Sequence, residues 1–498
     1  MGVVIRQSLF STIFSYLGVV LGYFNVLWLF PTAMSTSEIG LFRVVQDMAI
    51  LLSAFAQMGL AQSTTRFFPF FSETRKDRNK LLRFLLFGSL IGYLLFLILF
   101  VFLKQPIIGF YSDKAPEVGN HIRLALILTL ILVFTAVLET YAKSLLKTIV
   151  PNFIKDVLLR VFTGIAVLLF LVNLIDYGIL INSLVIIFGL SLLFLFAYLI
   201  FLGELELSLK FGFPEWPSIK KIVHYALYAS LGASSAIIVS KIDNLMIGSL
   251  LGLDYSGIYT TVFYIAVVIE IPKRAISQIS YPIMADHFKA GNRDIEINTL
   301  YKSVSLHQLL AGILIFVLIT TNLDSLFQIM PNGESFEVGK TVVIIIGAAK
   351  LIDMTASINS EIIILSKYYR VNLLMIAILA VTTILSNLIL IPTYGINGAA
   401  IASAFSVLMF NLSKFLFIKL KLGYDPLTTR TLLILLEGAI LYLAAILLPS
   451  LGNPYLDVFV KSASVLILFV GINFLLPASP EIKTLLSKSL NTIIKRLK

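Results

Sequence analysis

Residues 81–103 read LLRFLLFGSLIGYLLFLILFVFL, and Arg83 is the one charged side chain in the run. A helix of about 20 apolar residues crosses the roughly 30 Å of hydrocarbon in a lipid bilayer. The stretch is long enough for that crossing and too apolar for the surface of a soluble protein. It therefore predicts a transmembrane helix.

The rest of the chain repeats this pattern. Of its 498 residues, 58% are hydrophobic and 13% are charged, and the mean hydropathy is +0.97. Such a composition predicts an all-α, polytopic membrane protein with about 14 transmembrane helices. The predicted spans are 8–30, 41–67, 81–103, 121–146, 153–173, 178–202, 222–250, 257–284, 298–323, 341–366, 369–391, 396–418, 431–449 and 456–477.

The distribution of Lys and Arg predicts the orientation, because cytoplasmic loops of membrane proteins carry the excess of basic residues. With both termini in the cytoplasm, 24 of the 38 basic residues fall in inside segments, whereas the outside loops hold only Lys104, Lys114 and Lys340. We therefore expect a multi-pass protein of the cytoplasmic membrane. Anionic lipid headgroups account for the net charge of +11, and no nucleic acid partner is expected.

Metal and cofactor sites are not expected. The chain has no cysteine, which excludes disulfides and thiolate ligands. Its four histidines show no metal-ligand spacing; they are His121, His224, His287 and His307.

Two pairs of glycines recur at one interval and suggest an internal repeat. Gly40 and Gly257 are 217 residues apart, and so are Gly178 and Gly395. An interval of six spans predicts two parallel six-helix repeats, 1–210 and 211–421. The alternative is that glycine suits tight turns between spans.

The remaining C-terminal sequence predicts two elements outside the repeats. Residues 422–477 add two further transmembrane helices. Residues 478–498 combine an apolar face with several Lys and Arg, which is typical of an amphipathic helix on the cytoplasmic surface.

The stretch STSEIGLFRVVQDMAILLSAFAQMGLAQSTTRFFPFF at 35–71 resembles the polysaccharide and oligosaccharide flippases of the multidrug/oligosaccharidyl-lipid/polysaccharide (MOP) exporter superfamily. The residues that carry the resemblance are Glu38, Gly40, Phe42, Gly59, Arg66 and Phe67. Similar wording recurs at 241–259 and 391–406. The resemblance implies a two-lobed helical bundle around a central cavity that opens alternately to each side of the membrane.

That resemblance leaves two transporter functions open. The first is a flippase for a polyprenyl-diphosphate-linked oligosaccharide, with membrane lipids and polysaccharide assembly enzymes as partners. The second is an ion-coupled exporter of drugs or organic cations, whose cavity should be rich in acids and aromatics. A membrane glycosyltransferase or polymerase is disfavoured, because the outside loops 104–120 and 322–340 carry no catalytic constellation. We therefore do not expect an enzyme.

Charged residues within the spans are candidate site residues, because each costs about 2.5–3.5 kcal/mol in the bilayer unless it is paired or hydrated. In VVIEIPKRAISQISYP at 267–282, Glu270 is shared by Lys273 and Arg274, and Pro272 predicts a kink. The excess positive charge predicts a water-filled cavity with cations facing an anionic ligand.

Span 222–250 carries a second charged pair. Lys241 and Asp243 are two residues apart and therefore point to different sides of a helix. Each needs a partner on another helix or a ligand. Asp243 is the first candidate for coupling to H⁺ or Na⁺, and Lys241 is a candidate for anion contact; a structural ion pair between helices is the alternative.

Other candidates follow from the same reasoning. Arg43 and Arg66 are further candidate cavity cations, although Arg66 is also placed to reach lipid headgroups. Glu270 and Asp353 are further candidate cavity acids. Asn25, Gln57 and Asn244 are candidates for hydrogen bonds to sugar, or for ties between helices. Three pairs are spaced for neutralisation within one helix: Arg43 with Asp47, Asp156 with Arg160, and Lys350 with Asp353.

Overall fold

The computed structural model describes residues 2–205, 212–291 and 293–475. Every regular element in these ranges is helical. The α-helices are α1 Gly2–Phe24, α2 Phe30–Ala33, α3 Thr36–Ala56, α4 Leu60–Phe67, α5 Arg75–Tyr111, α6 Glu117–Asn120, α7 Ile122–Ser144, α8 Ile149–Asn152, α9 Leu159–Leu171, α10 Tyr177–Phe201, α11 Trp216–Leu250, α12 Leu253–Val267, α13 Ile271–Ala290, α14 Asp294–Thr320, α15 Leu323–Ile329, α16 Lys340–Ala356, α17 Asn359–Leu365, α18 Tyr369–Leu422, α19 Thr429–Ile446 and α20 Pro454–Leu475. The predicted amphipathic helix at 478–498 lies outside the described residues.

The helices match the predicted crossings in position. Twelve helical stretches in the described part are long and apolar enough to span a membrane. One of them, α18, has 54 residues and covers two predicted spans, with Gly395 at φ 61° between them. The predicted span 153–173 is helical from Ile149 to Leu171 through a π-helical turn at Phe153–Leu158. The chain is a multi-pass, all-helical membrane protein.

Two predicted spans are interrupted. The span predicted at 41–67 ends as α3 at Ala56, because Met58 and Gly59 both have positive φ before α4 begins. A 3-10 turn at Val268–Glu270 separates α12 from α13, with Pro272 in the first turn of α13. The break predicted at Pro272 is therefore confirmed, and the break at Gly59 was not predicted.

The chain divides into two compact units, Met1–Thr260 (unit 1) and Thr261–Lys498 (unit 2). In unit 1, α3 packs against α7 and α11, and α7 packs against α10. In unit 2, α14 packs against α13, α16 and α19, while α16 and α17 pack on α18. The division of the sequence into repeats at 1–210 and 211–421 remains a prediction.

The glycines at the repeat interval Gly40 and Gly257 meet in unit 1, where α3 and α12 cross. A Cβ on Gly40 would collide with the carbonyl oxygen of Leu253, and a Cβ on Gly257 would collide with that of Thr36. Leu253 and Thr36 are themselves 217 residues apart, so the contact is reciprocal at the repeat interval. Only glycine allows two helix backbones to approach this closely.

Candidate functional site

The segment that opens α13 contributes three charged side chains to a network in unit 2. Because Pro272 begins a new helix after the 3-10 turn, Glu270 lies at the helix start and Lys273 and Arg274 lie in its first turn. Glu270 Oε2 is 2.6 Å from Lys350 Nζ, and Glu270 Oε1 is 3.4 Å from Arg274 Nε. The carboxylate thus lies between a cation of its own helix and a cation of α16.

Lys273 reaches α16 as well, where its Nζ forms an ion pair with Asp353 Oδ2. The other oxygen, Asp353 Oδ1, accepts a hydrogen bond of 3.1 Å from Asn411 Nδ2 of α18. The prediction that Lys350 and Asp353 neutralise each other within α16 is wrong. The two residues take partners on α13 instead, because α13 brings an acid and a base against the face that carries them.

Lys414 of α18 and Glu361 of α17 complete this network and were missed in the sequence. Lys414 is only 1% exposed, and its Nζ donates a 2.5 Å hydrogen bond to Ser360 Oγ. Its Nζ also lies 3.7 Å from the centroid of the Phe410 ring. A lysine within the apolar span 396–418 is itself the signal that could have identified it.

The seven charged residues of this unit 2 network comprise four bases and three acids. They are Lys273, Arg274, Lys350 and Lys414 with Glu270, Asp353 and Glu361. Arg274 is the accessible member, with a side chain that is 64% exposed and a long contact to Glu270. The network can therefore offer a guanidinium to an anion without breaking a short ion pair.

A second network lies in unit 1 and joins α3, α11 and α12. Asp47 Oδ1 is 2.6 Å from Lys241 Nζ, and Asp47 Oδ2 accepts a 2.9 Å hydrogen bond from Asn244 Nδ2. Ser256 Oγ in turn donates to Asn244 Oδ1 at 2.6 Å. These bonds give Lys241 a partner on another helix, as its position in the sequence required.

Asp243 belongs to the same unit 1 network. Its Oδ2 accepts a 3.0 Å hydrogen bond from the Tyr259 hydroxyl of α12. Asp243 and Tyr259 are both buried. The carboxylate is thus held by a neutral donor on a neighbouring helix, which leaves its charge available for a cation or a proton.

The predicted arginines of unit 1 contact aromatic rings. The Arg43 guanidinium lies 5.0 Å from the Phe30 ring centroid and donates a 3.2 Å hydrogen bond to Gln46 Oε1. The Arg66 guanidinium lies 4.5 Å from the ring centroid of Tyr225. Stacking on an aromatic face leaves the edge of a guanidinium available for further hydrogen bonds.

The predicted polar residues differ in their surroundings. Asn25 donates a 2.8 Å hydrogen bond to the carbonyl of Arg160, which is a tie between helices. Gln57 is buried, and its Oε1 accepts no hydrogen bond from the described residues. The pair Asp156 and Arg160 was wrongly predicted, since Arg160 Nη1 donates to the backbone carbonyl of Asp156 and Ser15 donates to the carboxylate.

Comparison with known proteins relates the whole chain to transporters. The family model for polysaccharide biosynthesis proteins matches residues 5–288. The structure of lipid II flippase MurJ in an inward closed conformation matches with a TM-score of 0.76 at 15% identity, covering 93% of this chain and 98% of that chain. None of the curated proteins matches this chain.

Two further structures share the fold. An inward-facing multidrug resistance MATE family transporter of the MOP superfamily matches with a TM-score of 0.65 at 17% identity, covering 82% of this chain and 94% of that chain. A MOP superfamily transporter from Pyrococcus furiosus matches with a TM-score of 0.56 at 16% identity, covering 84% of this chain and 95% of that chain. The fold is therefore that of MOP superfamily transporters.

Proposed function

We infer the function from one premise: the chain belongs to the polysaccharide biosynthesis protein family. We propose that it is a flippase, which moves a polyprenyl-diphosphate-linked oligosaccharide from the cytoplasmic to the outer leaflet of the cytoplasmic membrane. The headgroup crosses through the protein while the lipid tail stays in the bilayer. No bond is made or broken, so the protein is not an enzyme.

The excess of cations in the unit 2 network is the observation that supports this substrate. A diphosphate needs positive charge and hydrogen-bond donors, and an arginine supplies both in a planar fork. Arg274 is exposed, and its 3.4 Å contact with Glu270 is long for a charge-assisted hydrogen bond. A drug cation would need the opposite charge balance at this position.

The unit 1 network supports a coupling role. We assign Asp243 as the site that takes up H⁺ or Na⁺, because its carboxylate is buried and its described hydrogen-bond donor, Tyr259, is neutral. Arg43, Arg66 and Lys241 are assigned to anion contact, and Gln57 and Asn244 to sugar contact. Both termini are assigned to the cytoplasm, where assembly enzymes would deliver the lipid-linked sugar.

Competition binding separates the flippase from the exporter of organic cations. The purified chain is equilibrated with a fluorescent polyprenyl diphosphate, and unlabelled diphosphate, monophosphate or ethidium is added. We expect the diphosphate to displace the probe at the lowest concentration and ethidium not to displace it. Displacement by ethidium alone would contradict the flippase and favour the exporter.

A charge-neutralised variant locates the binding. Arg274→Gln is expected to weaken diphosphate binding about tenfold, the equivalent of losing about 1.4 kcal/mol from a charged hydrogen bond. The matched control is Lys220→Gln, which removes an exposed cation at the start of α11. Equal affinity in both variants would exclude Arg274 from the site.

A further inference from the structure

The buried ammonium of Lys414 lacks a carboxylate partner at contact distance. Ser360 Oγ and the Phe410 ring are its contacts, and no acidic side chain among residues 2–205, 212–291 and 293–475 lies within 4 Å of its Nζ. Burying a cation without a carboxylate in contact is costly. A lysine placed in this way needs a reason beyond packing.

Two carboxylates lie near Lys414 and act on its charge. They are Asp353 of α16 and Glu361 of α17. Asn411, which is three residues before Lys414 on α18, already donates to Asp353 Oδ1. Residues three apart share a helix face, so Lys414 lies on the face of α18 that meets Asp353.

Asp353 is occupied by another cation in this state. Lys273 forms the ion pair with its Oδ2, and Lys273 also belongs to the cationic segment assigned to the diphosphate. A diphosphate that took Lys273 would leave Asp353 without its cation. Removing one partner of a buried ion pair costs about 3–5 kcal/mol, which would be subtracted from the affinity for the ligand.

We propose that Lys414 is an internal counterion that replaces Lys273 on Asp353 when Lys273 binds the diphosphate. The ammonium has three donors, of which Ser360 uses one, and a flexible four-carbon stem that can change partners. Lys414 is thus a positioning residue that acts through Asp353 and does not touch the ligand. The inference rests on the proposed function and adds an ion-pair exchange to it.

The exchange has a consequence for ions in solution. Because the replacement cation is tethered to α18, Asp353 needs no Na⁺ from outside when the ligand binds. Diphosphate binding to the parent chain is therefore expected to be equal in sodium chloride and choline chloride at one ionic strength. A requirement for Na⁺ in the parent would overturn the exchange.

The test measures the dissociation constant of farnesyl diphosphate, a short polyprenyl diphosphate, with the full chain in detergent. Lys414→Met is expected to weaken binding about tenfold, because Asp353 then loses its replacement cation; a factor of ten corresponds to about 1.4 kcal/mol. Adding Asp353→Asn is expected to restore the parent affinity, because a neutral amide needs no counterion. Lys220→Gln is the control.

Each outcome distinguishes the exchange from the proposed function. If the parent does not bind farnesyl diphosphate, the proposed function fails and the exchange fails with it. If the parent binds but Lys414→Met binds equally well, the exchange alone fails. If Lys414→Met binds weakly and Asp353→Asn does not restore binding, Lys414 contacts the ligand or supports the fold, and the exchange is also overturned.

A variant that does not fold leaves the test intact. Should Lys414→Met not give a monodisperse protein, Asp353→Asn is compared with the double variant Asp353→Asn, Lys414→Met. The exchange requires equal affinities, because Lys414 has no role once Asp353 is neutral. A weaker double variant would contradict it.

Discussion

Charge is arranged differently in the two networks. In unit 1, the network holds two bases and two acids, namely Arg43 and Lys241 with Asp47 and Asp243, and the short bonds of Asp47 join α3 to α11. In unit 2, four bases face three acids, and Arg274 is exposed. A balanced and buried network resembles a tie between helices, whereas an unbalanced one with an exposed arginine resembles a binding site.

Reversing charge in unit 2 should have the largest effect. The double variant Lys273→Glu, Arg274→Glu is expected to lower headgroup translocation about 100-fold or more, because two anions would replace two cations at the site and each 1.4 kcal/mol is a factor of ten. Translocation is measured in proteoliposomes, and membrane insertion should be unchanged. The matched control, Lys220→Glu with Lys221→Glu, reverses two exposed bases of α11. Near-normal transport by the well-expressed double variant would remove the distinction between the networks.

Breaking the tie in unit 1 should mainly affect stability. Asp47→Ala leaves Lys241 and Asn244 without their carboxylate partner, and the expected loss is about 3–5 kcal/mol of unfolding free energy. Thermal unfolding in detergent measures it. Asp254→Ala, which removes an exposed acid bonded to Thr36, is the control and should change little. If both variants unfold at the same temperature, Asp47 is not a structural tie.

The sequence predicts the helices well, because a lipid-crossing helix needs only length and low charge. It also predicts the break at Pro272, since proline cannot donate a helical hydrogen bond. Partners across helices were harder to predict. Lys350 and Glu270 are 80 residues apart, and their 2.6 Å contact depends on how α13 and α16 pack. Spacing within one helix paired Lys350 with Asp353 instead.

Lys414 shows a second limit. Its sequence context is a single base in an apolar span, which is a signal of importance without an indication of role. The role inferred here depends on Asn411 reaching Asp353 and on Lys273 occupying the same carboxylate. Those contacts join helices that are 80 and 58 residues apart in the chain. Periodicity cannot predict them.

A neutral substitution at Asp243 tests whether unit 1 is more than a tie. Asp243→Asn keeps an oxygen that can accept the Tyr259 hydrogen bond, so the fold should persist while the charge is lost. Translocation is measured with and without an imposed pH or sodium gradient. We expect the parent to respond to one gradient by about fivefold or more, a typical coupling, and the variant to lose that response. Identical responses would make Asp243 structural.

The smallest effect is expected at the glycine crossing that holds α3 and α12 together beside the unit 1 network. Gly40→Ala places a methyl group against the Leu253 carbonyl, and overpacking of this kind costs about 1–3 kcal/mol. Gly257→Ala should cost a similar amount against Thr36. The double variant should cost less than the sum, because the helices separated by the first methyl already have room for the second. Gly109→Ala is the control, since nothing lies within 4 Å of its added Cβ. Additive costs in thermal unfolding would mean that the two glycines act independently, and the reciprocal contact would then not explain why both positions are glycine.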